Sequence, residues 1–224
     1  MKRWMTRHAN VWIVAGLLLL VGCAEQPRVR RAMAPAYKPS NQHSEAPLLP
    51  ESLRRIAVLP LTAPHGDEAA ASVLSHFESL LLVELRKKAA FDVVPVTREQ
   101  IKEWSGRADW RQDEPLPTNF LSRIREQSGS DGILFAHLSA FRAYPPLAAG
   151  WRLSLVDGST GKAFWSVDEV FDAGSVEVIK SAQAYSRSQM NQPALELDST
   201  GVLTSPSRFG QYSAAAVLGT LPHR

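Results

Sequence analysis

The feature that most constrains the fold is a pair of alternating segments joined by a turn-forming pentapeptide. Residues 151–156 and 163–170 flank Asp157-Gly158-Ser159-Thr160-Gly161, a composition typical of a β-hairpin turn. Pairing the two segments about Ser159 places Trp151, Leu153 and Leu155 opposite Val167, Trp165 and Ala163 on one face. The other face receives Arg152, Ser154, Lys162, Ser166 and Asp168, with Val156 and Phe164 as apolar exceptions. The hairpin therefore predicts a sheet with one face on an apolar core and the other toward water.

Strand and helix patterns alternate on both sides of this hairpin. Before it, the pattern predicts strands at 55–61, 91–96 and 133–141 and helices from Asp67 or Glu68 to about residue 88, from Thr97 to Trp104 and at 118–127. After it, helices are predicted at 176–190 and 208–218. Pro95 predicts an edge position for its strand. We therefore expect an α/β fold: a two-layer sandwich with a mixed sheet of about five strands and helices packed mainly on one face.

The amino-terminal segment has the order of a secretory signal, with Lys2, Arg3 and Arg7 ahead of an apolar run that ends at Val21. The tetrapeptide Leu20-Val21-Gly22-Cys23 resembles the lipobox of bacterial lipoproteins. The resemblance implies cleavage between Gly22 and Cys23, with a diacylglycerol and an N-linked acyl chain such as palmitate on Cys23. About a dozen apolar residues are fewer than the roughly 20 that span a bilayer, so we expect a membrane anchor and not a transmembrane helix.

The residues after Cys23 predict a tether. Residues 24–52 contain five prolines and no hydrophobic period, so they do not bury enough apolar surface to fold alone. A proline-rich chain of this length reaches roughly 90 Å at most. The predicted organisation is a lipoprotein signal peptide (1–22), a lipidated cysteine with a Pro-rich flexible linker (23–53), an α/β periplasmic domain (54–190), and a loop with a C-terminal helix packing on the domain (191–224).

Composition and spacing argue against several functions. The chain has 25 Lys and Arg against 22 Asp and Glu; without the three cations of the signal the balance is even, which argues against nucleic-acid binding. The histidines show no HExxH or paired metal spacing, no GxSxG is present, and the sole cysteine is Cys23. We therefore expect no catalytic residue, no metal and no cofactor, and we predict a protein that is not an enzyme.

Several motifs resemble one family of envelope proteins. The strand IAVLPL, the strand FDVVPV, the segment SDGILFAHL and the hairpin WRLSLVDGSTGKAFWS are similar to the group that includes the penicillin-binding-protein activator LpoB and the curli secretion protein CsgG, with a fold akin to the amino-terminal domain of TolB. The resemblance covers about residues 54–190. It implies a cell-envelope lipoprotein that faces the periplasm and binds a protein partner, and Ala24 after the cysteine implies the outer membrane.

Residues 105–117 are the candidate binding surface, because they are charged, irregular and carry aromatic and Arg residues of the kind that anchor interfaces. The candidate residues are Trp104, Arg107, Trp110 and Arg111. Folding of this loop back onto the domain is the open alternative. The leading hypothesis is an activator or adaptor of a cell-wall synthase. The alternatives are an assembly or secretion subunit that oligomerises and a cell-wall hydrolase or sugar binder; the sequence leaves the oligomeric state open.

Overall fold

The computed structural model describes residues 37–189 and 200–224. Within these ranges six strands form one sheet in the order β1-β6-β5-β4-β2-β3. The strands are β1 (Gln42–Ser44), β2 (Arg55–Val58), β3 (Asp92–Pro95), β4 (Gly132–Arg142), β5 (Ala148–Asp157) and β6 (Ala163–Asp172). The helices are α1 (Glu68–Lys87), α2 (Arg98–Ser105), α3 (Phe120–Ser128), α4 (Val176–Gln189) and α5 (Pro206–Leu218).

The sheet is mixed. β2 pairs in parallel with β3 and β4, whereas β4, β5, β6 and β1 pair antiparallel. β3 lies at a sheet edge, as Pro95 predicts, because the proline cannot donate to a further strand. The predicted helix starts are also observed. Asp67 caps α1, and Thr97 with Gln100 forms a reciprocal capping box on α2. The predicted two-layer α/β sandwich with a mixed sheet is confirmed; the sheet is open and has six strands where about five were expected.

One face of the sheet, the first face, carries the main core. Helices α1, α4 and α5 cover it, and its largest fully buried side chains include Trp151, Trp165, Phe77 and Tyr212. The Phe77 ring lies 5.7 Å from the Trp151 ring, centroid to centroid. Gly210 lets α5 approach α1 closely, because a Cβ there would come within 2.7 Å of the Phe77 ring. This face is therefore packed almost entirely by apolar contact.

The opposite side, the second face, carries a smaller apolar cluster. Ile101 of α2 and Phe120 and Ile124 of α3 pack there against Phe135 and Val156 of the sheet. These two helices are short, and they lie over the half of the sheet formed by β2 and β4 together with one end of β5. Helices thus lie mainly on the first face, with a partial cover on the second.

The hairpin register differs from the prediction by two residues. Leu153 lies opposite Val167 and Leu155 opposite Trp165, so Trp151 faces Glu169. One residue of the difference arises at the turn, where Val156 pairs with Ala163. The other arises from an irregularity between Leu155 and Val156, where β6 has one extra residue. Trp151, Leu153, Leu155, Trp165 and Val167 do share the first face, but Ala163 packs on the second-face cluster. The second face of the hairpin also does not meet water uniformly, since Ser154 is buried there.

The ordered domain begins before Arg54, contrary to the predicted boundary. Tyr37 donates from its backbone N–H to the Ser181 hydroxyl, and its ring lies 5.6 Å from Phe171. β1 then adds to the edge of β6, and Leu49 and Leu53 are buried in the main core. The Leu49 N–H donates to the carbonyl of His223, so the first and last described segments meet. The signal peptide, Gly22, Cys23 and the rest of the predicted linker up to residue 36 lie outside the described residues, as do residues 190–199.

Helix α5 lies against α1 and the sheet. Phe209, Tyr212, Val217 and Leu218 belong to the main core, and the 3₁₀ turn Gly201–Leu203 adds the buried Val202. The carboxy-terminal segment therefore forms part of the single first-face core. None of the described helices is long and apolar enough to cross a bilayer.

Candidate partner-binding surface

The charged loop (residues 106–119) connects α2 to α3 and has no helix or strand of its own. Gly106 takes a left-handed conformation (φ 84°) and ends α2 with a hydrogen bond from its N–H to the Lys102 carbonyl. The chain then turns back over the second face and enters α3 at Phe120. The loop is therefore placed against the half of the sheet that the helices leave open.

Trp110 fixes the middle of the charged loop. Its ring lies 5.2 Å from the Phe120 ring, and its indole N–H donates to the Ser105 hydroxyl at 2.7 Å. The Arg107 guanidinium lies 3.8 Å from the centre of the Trp110 ring, a cation–π contact, and also pairs with the Glu114 carboxylate. Glu114 in turn accepts the Arg111 N–H at 2.6 Å. These contacts hold the loop in one conformation.

A chain of alternating charges joins the loop to the sheet. Arg111 Nε lies 3.0 Å from Asp113 Oδ1, and the second Asp113 oxygen lies 3.1 Å from Arg152 of β5. Arg152 also binds Asp168 of β6 at 2.8 Å. Arg152 and Asp168 are directly opposite each other in the β5–β6 ladder, where opposite charges favour pairing. The side chains of Arg152 and Asp113 are both 46% exposed, so water and salt weaken each pair while the groups remain accessible.

His137 lies beneath this network. The residue is 8% exposed, and its Nδ1 is 2.8 Å from the Thr62 hydroxyl oxygen. Burial lowers the pKa of His137, and the nearby Arg111 and Arg152 guanidinium groups lower it further, while Asp113 and Asp168 oppose them. A cavity of about 250 Å³ adjoins it, lined by Arg111, Gln112, Asp113, Phe135, Ala136, His137 and Arg152. At neutral pH this imidazole is therefore an uncharged support for the loop.

The four candidate binding residues lie close together, but the tryptophans face inward. Trp104 and Trp110 are half-buried against the second-face cluster, so the alternative in which the loop folds back is the one observed. Arg107 and Arg111 bond mainly to carboxylates of the loop itself. The outer surface is instead formed by Gln112, Asp113 and Arg152 together with the exposed part of Arg107. Partner binding by this surface stays a prediction.

Sequence reasoning did not name Asp113, Arg152, Asp168 or His137 as contributors to this surface. Asp168 and Arg152 were expected on one face of the hairpin, and the correct register would have paired them. Asp113 meets Arg152 across 39 residues of sequence, which no local pattern reveals. Among the described residues, no group of three or more His, Cys, Asp or Glu side chains is arranged to hold a metal ion.

Comparison with known proteins establishes no family. No family model matches the sequence, and no curated protein matches it. Similar solved structures include a PelC dodecamer from Paraburkholderia phytofirmans, at 17% identity and a TM-score of 0.47 over 82% of this chain and 96% of that one. Lipoprotein GNA1162 from Neisseria meningitidis matches at 17% identity and 0.35, over 53% and 79% of the two chains. The C-terminal domain of LpoB from Escherichia coli matches at 16% identity and 0.34, over 53% and 82%.

These three similarities are remote. Each identity is 17% or lower and each TM-score is below 0.5, so none of them carries an argument about what this protein binds or assembles into. LpoB is also a member of the group that the sequence motifs resemble. We therefore infer a function from this chain's own residues.

Proposed function

We propose that this protein is a cell-envelope lipoprotein, anchored through Cys23 to the periplasmic side of the outer membrane, whose α/β domain binds a protein partner. The finer proposal is an activator or adaptor of a cell-wall synthase. The observation that carries the binding role is the charged loop. Its 14 residues have no secondary structure of their own, yet they are tied to the sheet by ordered charge pairs. Loops of this length in compact domains are uncommon and are usually functional.

The loop is suited to binding because it is already ordered. Association costs free energy for every loop and side chain that must be immobilised. A surface that is already ordered therefore loses less conformational entropy on binding. The Arg107–Trp110 contact and the Asp113–Arg152 pair keep the loop ordered. The side chains of Arg107, Asp113 and Arg152 nevertheless remain about half exposed to water. Exposed charges of both signs on this loop favour specific binding of a partner with complementary charges over tight non-specific binding.

We also propose that the domain acts by binding and not by catalysis. Arg152 is engaged by Asp113 and Asp168, and Glu114 is engaged by Arg107 and the Arg111 N–H. Side chains that are already engaged with one another in this way suit a fixed binding surface better than a site that transfers protons. His137 is bonded to Thr62 and lies under the loop.

The anchor limits where the partner meets the domain. Tyr37 is 14 positions after Cys23, and a fully extended chain of that length covers about 50 Å. This is roughly half the reach expected when residues up to 52 were taken as the tether, because residues 37–53 pack on the domain. A partner distant from the membrane must therefore extend toward it.

Photo-crosslinking in cells tests the binding surface. A benzophenone amino acid at position 112, in the full-length lipoprotein, projects from the exposed part of the charged loop, whereas one at Val83 on α1 serves as an exposed control. We expect one envelope protein to be captured from position 112 and not from position 83. A captured cell-wall synthase supports the activator. A loop that captures nothing, or the same proteins as the control, contradicts the proposal.

The assembly alternative has its own measurement. Capture of a second copy of this chain from position 112, with a light-scattering mass above that of a monomer for the purified domain, supports an oligomerising subunit. The Arg152→Glu variant tests the surface in either case, because it reverses the charge at the centre of the surface, where the side chain is half-exposed. We expect it to abolish capture of the partner and to leave the circular dichroism spectrum unchanged.

A further inference from the structure

A second exposed surface lies at the end of the sheet where β4, β5 and β6 meet the loops. Tyr144 is 80% exposed, Val176 55% and Val170 47%, an unusual exposure for an aromatic and two branched apolar side chains. Pro145 and Pro146 are also exposed and follow Tyr144. These five residues are called the end patch. Exposed apolar residues that lie together are typical of surfaces that contact a membrane or another molecule.

The contacts between the two loops hold the end patch together. Ala148 pairs with Asp172 in the β5–β6 ladder, and the Ala173 N–H donates to the Leu147 carbonyl at 2.8 Å. The Arg142 guanidinium binds Asp172 at 2.9 Å and also the Pro146 carbonyl. The Tyr144–Pro146 loop and the turn that begins α4 at Val176 are therefore neighbours on a rigid base.

The tether enters the domain at this same end. Tyr37, the first described residue, bonds to Ser181 of α4 and to Glu169 near the end of β6, and its ring packs on Phe171. From there β1 runs along β6 toward the far end of the sheet, since Gln42 faces Val167 and Ser44 faces Trp165. The chain that leads back to Cys23 thus leaves the domain beside the end patch.

We propose that the end patch rests on the lipid surface of the membrane that holds the acyl chains of Cys23. This inference depends on the anchor of the proposed function. The 14 positions between Cys23 and Tyr37 allow at most about 50 Å, so this end of the domain stays close to the bilayer. Confinement at that distance makes even a weak contact effective, because the contact forms within one tethered molecule.

The chemistry of the end patch fits the interfacial zone of a bilayer. Tyrosine is enriched at that depth, where its ring contacts acyl chains and its hydroxyl remains in water. Of the charged groups around it, Arg142 pairs with Asp172, and the Glu169 carboxylate accepts hydrogen bonds from Tyr37 and Ser40. The contact therefore depends on apolar burial and hardly on salt, unlike a polybasic surface.

Crosslinking to lipid tests the proposal. The full lipidated chain is placed in vesicles of phosphatidylethanolamine and phosphatidylglycerol with a benzophenone amino acid at position 144, 112 or 83. We expect lipid adducts from position 144 and few from positions 112 and 83, at both low and high salt. With the probe at position 176, Tyr144→Ser should lower the adduct yield on the order of tenfold, while Val83→Ser should leave it unchanged.

Two results overturn the proposal: equal lipid adducts at the three positions, or capture of protein alone from position 144. Failure of the anchor is recognised separately, by mass spectrometry of the amino-terminal peptide. If Cys23 carries no acyl chain, the mature chain is coupled to a maleimide lipid through the Cys23 thiol and the same probes are compared. Adducts confined to position 144 then still support the end patch, and their absence contradicts it.

Discussion

The two faces of the sheet are built by different physical means. The first face is covered by the long helices α1, α4 and α5 and holds Trp151 and Trp165 without any exposure. The second face is covered by two short helices and by the charged loop, which is tied down through half-exposed ion pairs. Apolar burial stabilises the first face, whereas exposed pairs add little free energy and mainly fix geometry. Stability thus depends mainly on one side of the sheet, and the proposed binding surface lies on the other.

The same substitution on both faces tests this division most directly. Trp151→Ala removes a fully buried ring, leaves a cavity beside Phe77 and takes the hydrogen bond to Ser213 away, so we expect a loss of about 3–5 kcal/mol in the free energy of unfolding. Trp110→Ala removes a half-buried ring from the second face, for which we expect about 1–2 kcal/mol. Urea unfolding followed by circular dichroism measures both. Equal losses would show that the two faces share the stability.

The pH dependence of unfolding examines the second face at His137. Burial and the nearby arginines lower the pKa of this imidazole below its ordinary value of about 6.5. The folded state then binds fewer protons than the unfolded state, so the stability from neutral His137 is complete above about pH 6.5 and is lost as the pH falls toward the lower folded pKa. We expect a slope of at most about 1.4 kcal/mol per pH unit in that window. His137→Gln should flatten this part of the curve, and an unchanged slope would contradict the assignment.

The ion pair between the loop and the sheet should matter more for local order than for global stability. Asp113→Asn keeps the shape and removes the charge that faces Arg152, so we expect a change of no more than about 1 kcal/mol in unfolding. Trypsin should nevertheless cut after Arg111 faster. Asp109→Asn is the matched control, because Asp109 pairs with Arg107 of the same loop, at 3.7 Å. Similar cleavage rates for the two variants would mean that the Arg152 contact does not hold the loop.

A residue that belongs to neither face sets the baseline for these comparisons. Tyr144 is 80% exposed, so Tyr144→Ser should change the free energy of unfolding by less than about 0.5 kcal/mol. Thermal and urea unfolding of the soluble domain would check this. A larger loss would indicate that the end patch stabilises the fold. The lipid-binding experiment would then have to be repeated with a second variant, Val176→Ser.

The sequence predicted those parts of the fold that local chemistry determines. Alternation in the hairpin identified five of the six first-face residues correctly, Thr97 and Gln100 indicated their capping box, and Pro95 indicated the sheet edge. The register was wrong by two because neither the one-residue offset at the turn nor the irregularity beside Val156 has a sequence signature of its own. A single extra residue in one strand reverses the faces beyond it, which explains the position of Ala163.

The linker boundary was wrong for a related reason. Gln42, His43 and Ser44 are polar and exposed, so no hydrophobic period marks them as a strand. They are held by backbone pairing with β6 and by the burial of Leu49 and Leu53 further along. Both are long-range contacts that composition alone does not reveal. The choice of residues 105–117 as a binding surface stays a prediction, and the inward orientation of Trp104 and Trp110 could not be foreseen because it depends on Phe120 and the sheet behind it.

The contact between Leu49 and His223 has a consequence for the order in which the domain forms. Leu48 bridges to His223, the Leu49 N–H binds its carbonyl, and Arg224 donates to the carbonyls of Glu51 and Ala90. Contacts that join such distant parts of a sequence form late, since a long loop must close before they contribute. As the chain emerges in sequence order, β2 and α1 must wait, with their apolar faces incompletely covered, until α5 and the residues after it arrive. The nascent chain therefore has an extended period in which it depends on protection from aggregation.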